Sequence, residues 1–220
     1  MESKLLFFTE REIALMQKLD TPAKVQDFLN SLKFNFEDEG ETLKSPVRVL
    51  RTKSAHCIEG AILGAYILSL HGFEPLILHL ETEKKERDFD HVIALFKQNN
   101  LWGALSKTNH AVLRYREPVY KNVRELVMSY FHEYFLDNGK KTLRKYSRPL
   151  NLNVFKKPSS NVSRSKAGRG WEVSEKDLWF IDKELDKIKH YNIASKNIFK
   201  NLRKADKIEI EAGKIVEYKR

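Results

Sequence analysis

Between Cys57 and Leu70 the chain carries one charge, Glu59, and sets Ile58, Ala61, Ile62, Ala65 and Leu68 at helical spacing before Gly72 can end the run. A helix this apolar has no wet face, so other elements must wrap it. Ser54 is the expected N-cap, which puts Cys57, the only cysteine, in the first turn. There the unpaired backbone N–H groups and the positive end of the helix dipole favour a thiolate. A small buried hydrophobe is the plain alternative for a free cysteine.

The elements before this helix follow from capping chemistry. Thr9-Glu10-Arg11-Glu12 is a capping box opening a helix through Ile13, Met16 and Leu19. Thr21-Pro22 opens a second, with Val25, Phe28, Leu29 and Leu32 on one face. An acidic loop follows at 37–41, and Pro46 to Leu50 reads as a short extended approach to the cysteine. After Gly72 the period falls from 3.6 to 2. Pro75–Leu80, Asp90–Lys97 and Leu101–Lys107 are expected strands, the last two joined by a Gln98-Asn99-Asn100 turn. Arg114 to Tyr120 is extended, and Asn122 caps a helix through Leu126, Val127, Tyr130, Phe131 and Tyr134. Leu150 to Phe155 alternates like a half-buried strand. Ser174 is the expected cap of a helix with Leu178, Ile181, Leu185 and Ile188 inward, and residues 208–216 read as a terminal hairpin. Helices around a meander of strands make an α+β protein. The expected organisation is a core over 1–155, a flexible basic loop or linker over 156–170, and an extension over 171–220 of a helix plus a β-hairpin.

Charge is unevenly placed. Residues 1–139 hold 18 Lys/Arg against 20 Asp/Glu, and residues 140–220 hold 22 against 10, so the whole excess of the +10 chain lies in its C-terminal part. No apolar stretch reaches the roughly 18–20 residues of a membrane span, and the N-terminus is too charged for a signal peptide. No membrane partner is therefore expected. A single cysteine forbids an internal disulfide and points to a reducing cytoplasm.

Thirty-four residues past Cys57 stands His91, and fifteen past His91 stands Ser106. A thiol nucleophile needs a base within hydrogen-bond reach, and the base needs a polar group to orient it. A helix start and two adjacent strands could supply all three. This ordered set resembles the transglutaminase-like superfamily, across residues of about 20–135. Cys57-Ile58-Glu59-Gly60-Ala61, the Gly72-Phe73-Glu74-Pro75 turn, Asp90-His91-Val92 and Trp102 four residues before Ser106 carry the likeness. The resemblance implies a papain-like core, a Cys-bearing helix packed on an antiparallel sheet, with the basic C-terminal region appended. It implies thiol-dependent acyl transfer or amide hydrolysis through a Cys57–His91 pair, on a protein or peptide amide, with no cofactor. Trp102 and His56 are then the expected substrate-binding residues.

Where that family has an aspartate, this chain has Ser106, which can orient an imidazole but brings no charge. Asp90 and Asn109 are the alternative third members. The other reading of the departure is a catalytically inactive fold acting as a binding module. For that module the basic residues of 140–220, interleaved with Tyr146, Phe155 and Trp171, suit weak binding of nucleic acid. A solubilising surface is the plainer account of the same charges. No Cys-x-x-Cys or His-x-x-x-His spacing accompanies Cys57, so no metal is expected.

Overall fold

The computed structural model describes residues 7–86, 88–156 and 170–217. Its elements run α1 (Glu10–Lys18), α2 (Pro22–Ser31), β1 (Lys33–Phe34), α3 (Pro46–Thr52), β2 (Ser54–Ala55), α4 (Cys57–Leu70), β3 (Leu76–Thr82), β4 (His91–Gln98), β5 (Leu101–Leu105), β6 (Arg116–Tyr120), α5 (Val123–Phe131), β7 (Leu143–Ser147), β8 (Leu150–Asn151), α6 (Trp179–Lys187), β9 (His190–Asn192), α7 (Lys196–Lys200) and α8 (Lys207–Gly213), with short 3₁₀ turns between. The protein is α+β. A seven-stranded antiparallel sheet has the order β6-β5-β4-β3-β7-β9, with β8 pairing on β3, and β1 and β2 form a separate parallel pair.

Both faces of the sheet are covered, so its central strands bury consecutive residues rather than every second one. Val92, Ala94 and Phe96 of β4, with Ile77 and Leu105, face the core built by α1–α4 and α6. Ile93 and Leu95, with Leu76, Leu78, Leu80 and Ala104, face Leu126, Val127, Tyr130 and Phe131 of α5. Helix α4 lies against β4, enclosed by α1, α2 and α3, with Ala61 to Ile67 buried throughout. It approaches closely because Gly60 and Gly64 face its neighbours. A Cβ on Gly60 would sit 2.3 Å from Lys107 Cβ, and one on Gly64 would sit 3.0 Å from Leu105 Cδ1.

Several local expectations are met. Thr9 and Glu12 form the capping box, Thr21 caps α2 with Pro22 at its first position, and Asn122 caps α5. The β4–β5 turn places Asn99 and Asn100 at φ 48° and 64°, left-handed values that asparagine tolerates. Others need correction. Pro46–Leu50 is helical rather than extended, because Ser45 caps it and Pro46 is preorganised for the first turn. That helix ends at Lys53 in the left-handed region, and Ser54 then enters β2 beside Lys33 instead of capping α4. His56 is the N-cap and Cys57 the first helical residue. Leu150–Phe155 makes only two residues of strand before a 3₁₀ turn. The helix expected to start at Ser174 starts at Trp179.

The terminal hairpin expected over 208–216 is instead helix α8. Asp206 caps it, accepting from the N–H groups of Ile208 and Glu209, and Glu209 returns the bond to Asp206 N at 2.7 Å. A reciprocal cap outweighs a short run of alternation. Trp171, Val173, Leu178, Ile181, Leu185 and Ile188 join the main core, and β9 extends the sheet. The basic loop expected at 156–170 lies, but for its ends, outside the described residues.

The charge split also changes meaning in three dimensions. Lys140 pairs with Glu86, Arg144 with Glu83 at 3.1 Å and Lys145 with Glu81 at 2.7 Å, so three of the basic residues answer carboxylates of the N-terminal part. Trp171, expected to stack on bases, is buried with its ring edge-on to Tyr66. Among the described residues no helix is long and apolar enough to cross a membrane.

Candidate active site

Helix α4 presents Cys57 half-buried at its first position. Its N-terminus is held by Glu59, the single charge of the helix and fully buried. Glu59 Oε2 accepts from His56 N at 3.1 Å and from Asn35 Nδ2 at 3.3 Å. Its Oε1 accepts from Thr42 Oγ1 and Lys44 N, both at 2.8 Å. Lys44 Nζ, 3.6 Å from Glu59, also donates to the carbonyl and hydroxyl of Ser54 at 2.8 and 2.9 Å. A buried carboxylate with this many donors is satisfied, and it ties the loop before α3 to the start of α4.

The second imidazole near the thiol is that of His91, the first residue of β4 and buried. Its Nε2 lies 2.8 Å from Ser106 Oγ, just past the end of β5. The register pairing Ala94 with Leu105 brings the start of β4 and the end of β5 to one end of the sheet. Ser106 is itself fixed by Gln26 of α2, whose Oε1 accepts from Ser106 N and whose Nε2 donates to Ser106 O, each at 2.9 Å. This two-point amide clamp was not foreseen. The signal was a polar residue on the inward face of α2, among Pro22, Val25 and Leu29.

The Cys57 thiol lies within electrostatic reach of both His56 and His91. Burial pushes the thiol upward, but the two imidazoles outweigh it and hold the group at about 5, well below its ordinary 9.0. Burial likewise opposes a charge on His56, yet Cys57, Glu59 and the Thr42 carbonyl raise it to about 9. The fold thus favours a thiolate beside an imidazolium. The charge is felt nearby: Asp182 of α6 is raised by burial, then by Asp186, with Cys57 and Glu41 adding. Burial raises the Tyr134 hydroxyl too, with Asp88, Cys57 and Asp90 contributing.

The structure therefore brings together Cys57, His91, Ser106 and His56. It does not bring the remaining sequence candidates to the sulfur. Asp90 Oδ1 accepts from Thr82 N at 2.7 Å and Thr82 Oγ1 at 2.8 Å, and Oδ2 meets His79 Nε2 at 3.1 Å, so its carboxylate is committed away from His91. The Asn109 backbone carbonyl accepts from Glu217 N at 2.7 Å, where the C-terminal segment runs beside His110, and among the described residues no hydrogen bond joins the Asn109 side chain to His91. Trp102 lies at the opposite end of β5, under Lys97 and beside Gly72 and Phe73 in a shallow groove by the far end of α4. Among the described residues no group of three or more His, Cys, Asp or Glu side chains is arranged to hold a metal ion.

No protein-family model matches the chain, and no curated protein matches it.

Proposed function

We propose that the chain is a thiol-dependent acyl-transfer or amide-hydrolysing enzyme with a transglutaminase-like, papain-like core, acting on a protein or peptide amide. The observation that carries this reading is a half-buried thiol at the first position of an enclosed helix, with His56 next to it and the His91–Ser106 pair, 2.8 Å apart, at the same end of the sheet, a setting that lowers the thiol. Perturbed nucleophiles of this kind concentrate at catalytic sites.

Cys57 is the nucleophile in this reading. Its sulfur attacks the amide carbonyl and forms a thioester as the carbon–nitrogen bond breaks, and the proton released by the thiol ends on the departing nitrogen. His91, oriented by Ser106, takes the proton of the water or amine that attacks the thioester, then returns it to the sulfur as the carbon–sulfur bond breaks. Backbone N–H groups at the head of α4 have no partner within the helix and meet the oxyanion.

The test uses p-nitrophenyl acetate as a minimal acyl donor, with the adduct located by mass spectrometry. Wild type should release nitrophenolate in a burst, acetylate Cys57 and turn over. His91→Ala should acetylate but turn over about 100-fold more slowly, the scale of a general acid–base contribution. A Cys57 that acetylates and alkylates no faster than a free thiol near neutral pH would leave a binding module instead. The absence of a carboxylate at position 106 is the one observation favouring that second reading.

A further inference from the structure

One residue past Ser106, two cations meet a single carboxylate. Lys107 is 1% exposed, its stem packed against α4 at Gly60, and its Nζ donates to the Leu32 carbonyl at 2.6 Å beside the Phe34 ring. A buried ammonium needs an anion. The one it meets comes from far along the chain: Glu217 Oε2 lies 3.5 Å from Lys107 Nζ, and Glu217 Oε1 lies 3.7 Å from Arg114 Nη2. Both separations exceed the roughly 2.7–2.9 Å of a close charge-assisted bond. Arg114 Nε, which with Nη2 makes one fork of the guanidinium, is buried and finds no hydrogen-bond partner among the described residues. Burial and the charge of Arg114 hold Lys107 below its ordinary value although Glu217 opposes both. The pocket suits a carboxylate and is loosely filled by this one.

The segment that brings Glu217 is held like an added strand. Ala111 N donates to the Ile215 carbonyl at 3.0 Å and Glu217 N to the Asn109 carbonyl at 2.7 Å, with His110 and Val216 paired antiparallel between them. Its side chains add little. Ile215 is 64% exposed, residues 214–217 belong to neither apolar core, and α8, which leads into them, buries no residue. Main-chain bonds joined to one pocketed side chain are the means by which extended peptides are captured.

We propose that residues 107–114 form a binding site for an extended acidic peptide of a partner protein, and that Ile215–Glu217 is its resident competitor. The partner's strand takes over the two main-chain bonds, and its carboxylate enters between Lys107 Nζ and the Nε–Nη2 fork of Arg114. Cys57, His91 and Ser106 are not among its groups, so this site and the acyl-transfer reading stand or fall separately.

The probe is a fluorescein-labelled peptide of residues 213–217, Gly-Lys-Ile-Val-Glu, amidated at its end and titrated against the full-length protein by anisotropy. Glu217→Pro removes the resident carboxylate and its N–H donor without shortening the chain. That variant should bind the peptide at least about tenfold more tightly than wild type, because an internal competitor lowers the open fraction. A peptide carrying Glu217→Gln should bind it about tenfold more weakly, and so should the acidic peptide when Arg114→Gln is added to the protein. No binding by Glu217→Pro, equal binding of the acidic and amide peptides, or indifference to Arg114→Gln overturns the proposal. The unsubstituted protein gives a check that no folding defect can spoil. Its Ala111 and Glu217 amides should exchange hydrogen faster than the bonded amides of β4, since a segment that leaves opens those bonds while the sheet stays closed. Equal rates, set by global unfolding, would show a segment that never departs and would overturn the proposal as well.

Discussion

On the helix side of the sulfur, His56 leans on a buried carboxylate, a backbone carbonyl and a second acid; on the sheet side, His91 leans on a hydroxyl held by an amide. The first arm is charged and drawn from residues close in sequence, since Thr42, Lys44, His56 and Glu59 lie within one loop–helix unit. The second is neutral and assembled from distant parts, with Gln26 and Ser106 eighty residues apart. The difference teaches where each kind of cost falls. A buried charge network is expensive to break because removing one partner strands the others. A neutral clamp costs less to lose but sets an angle.

Breaking the charged arm should therefore cost most. Glu59→Gln keeps the size of the side chain but leaves Lys44 without its anion and turns an amide donor toward donors. We expect a loss of about 3 kcal/mol in unfolding free energy, read by urea denaturation. An equal effect from Gln26→Ala would erase the contrast between the arms. Gln26→Ala should instead cost about 1–2 kcal/mol. Its distinguishing mark is slower thioester turnover by His91 with the Cys57 thiolate midpoint unmoved.

The smallest effect is the pH dependence of stability, and its sign differs for the two members of the pair. His56 has a folded value raised above its ordinary 6.5, so its contribution is complete below 6.5 and is lost as pH rises through about 9. Cys57 has a folded value lowered from 9.0, so its contribution is complete above 9.0 and is lost as pH falls through about 5. Both are charged in the fold only between about 5 and about 9. The stability difference between wild type and Cys57→Ser should accordingly shrink as pH drops through 5. A difference that stays flat across that edge would place the thiolate in doubt.

Much of this was legible from the sequence because it is encoded locally. Capping boxes, the long apolar helix from Cys57 and the asparagine turn between β4 and β5 each require only neighbours. The order Cys57, His91, Ser106 was readable because a helix start and a tight hairpin leave few ways to bring them together. What escaped depended on distant or competing signals. Ser45-Pro46 announces a helix, yet Val47, Val49 and Leu50 also suit an extended segment, and only packing beneath α4 decides between them. The alternating Ile208, Ile210 pattern yields to the Asp206–Glu209 cap in the same way. The placing of His56 was hidden because the carbonyl it meets at 2.9 Å belongs to Thr42, and no residue-type pattern reports which way a backbone points.

The close seating of α4 has one further consequence. Gly60 lies a single turn beyond Cys57, and the space where its side chain would begin is filled by Lys107, the residue that follows Ser106. The gap between nucleophile and imidazole is thus gauged by an absent methyl group, much as a shim sets the clearance between two machined faces. Adjusting reactivity would then call for no change in the reacting groups themselves, only for a thicker spacer one turn above them.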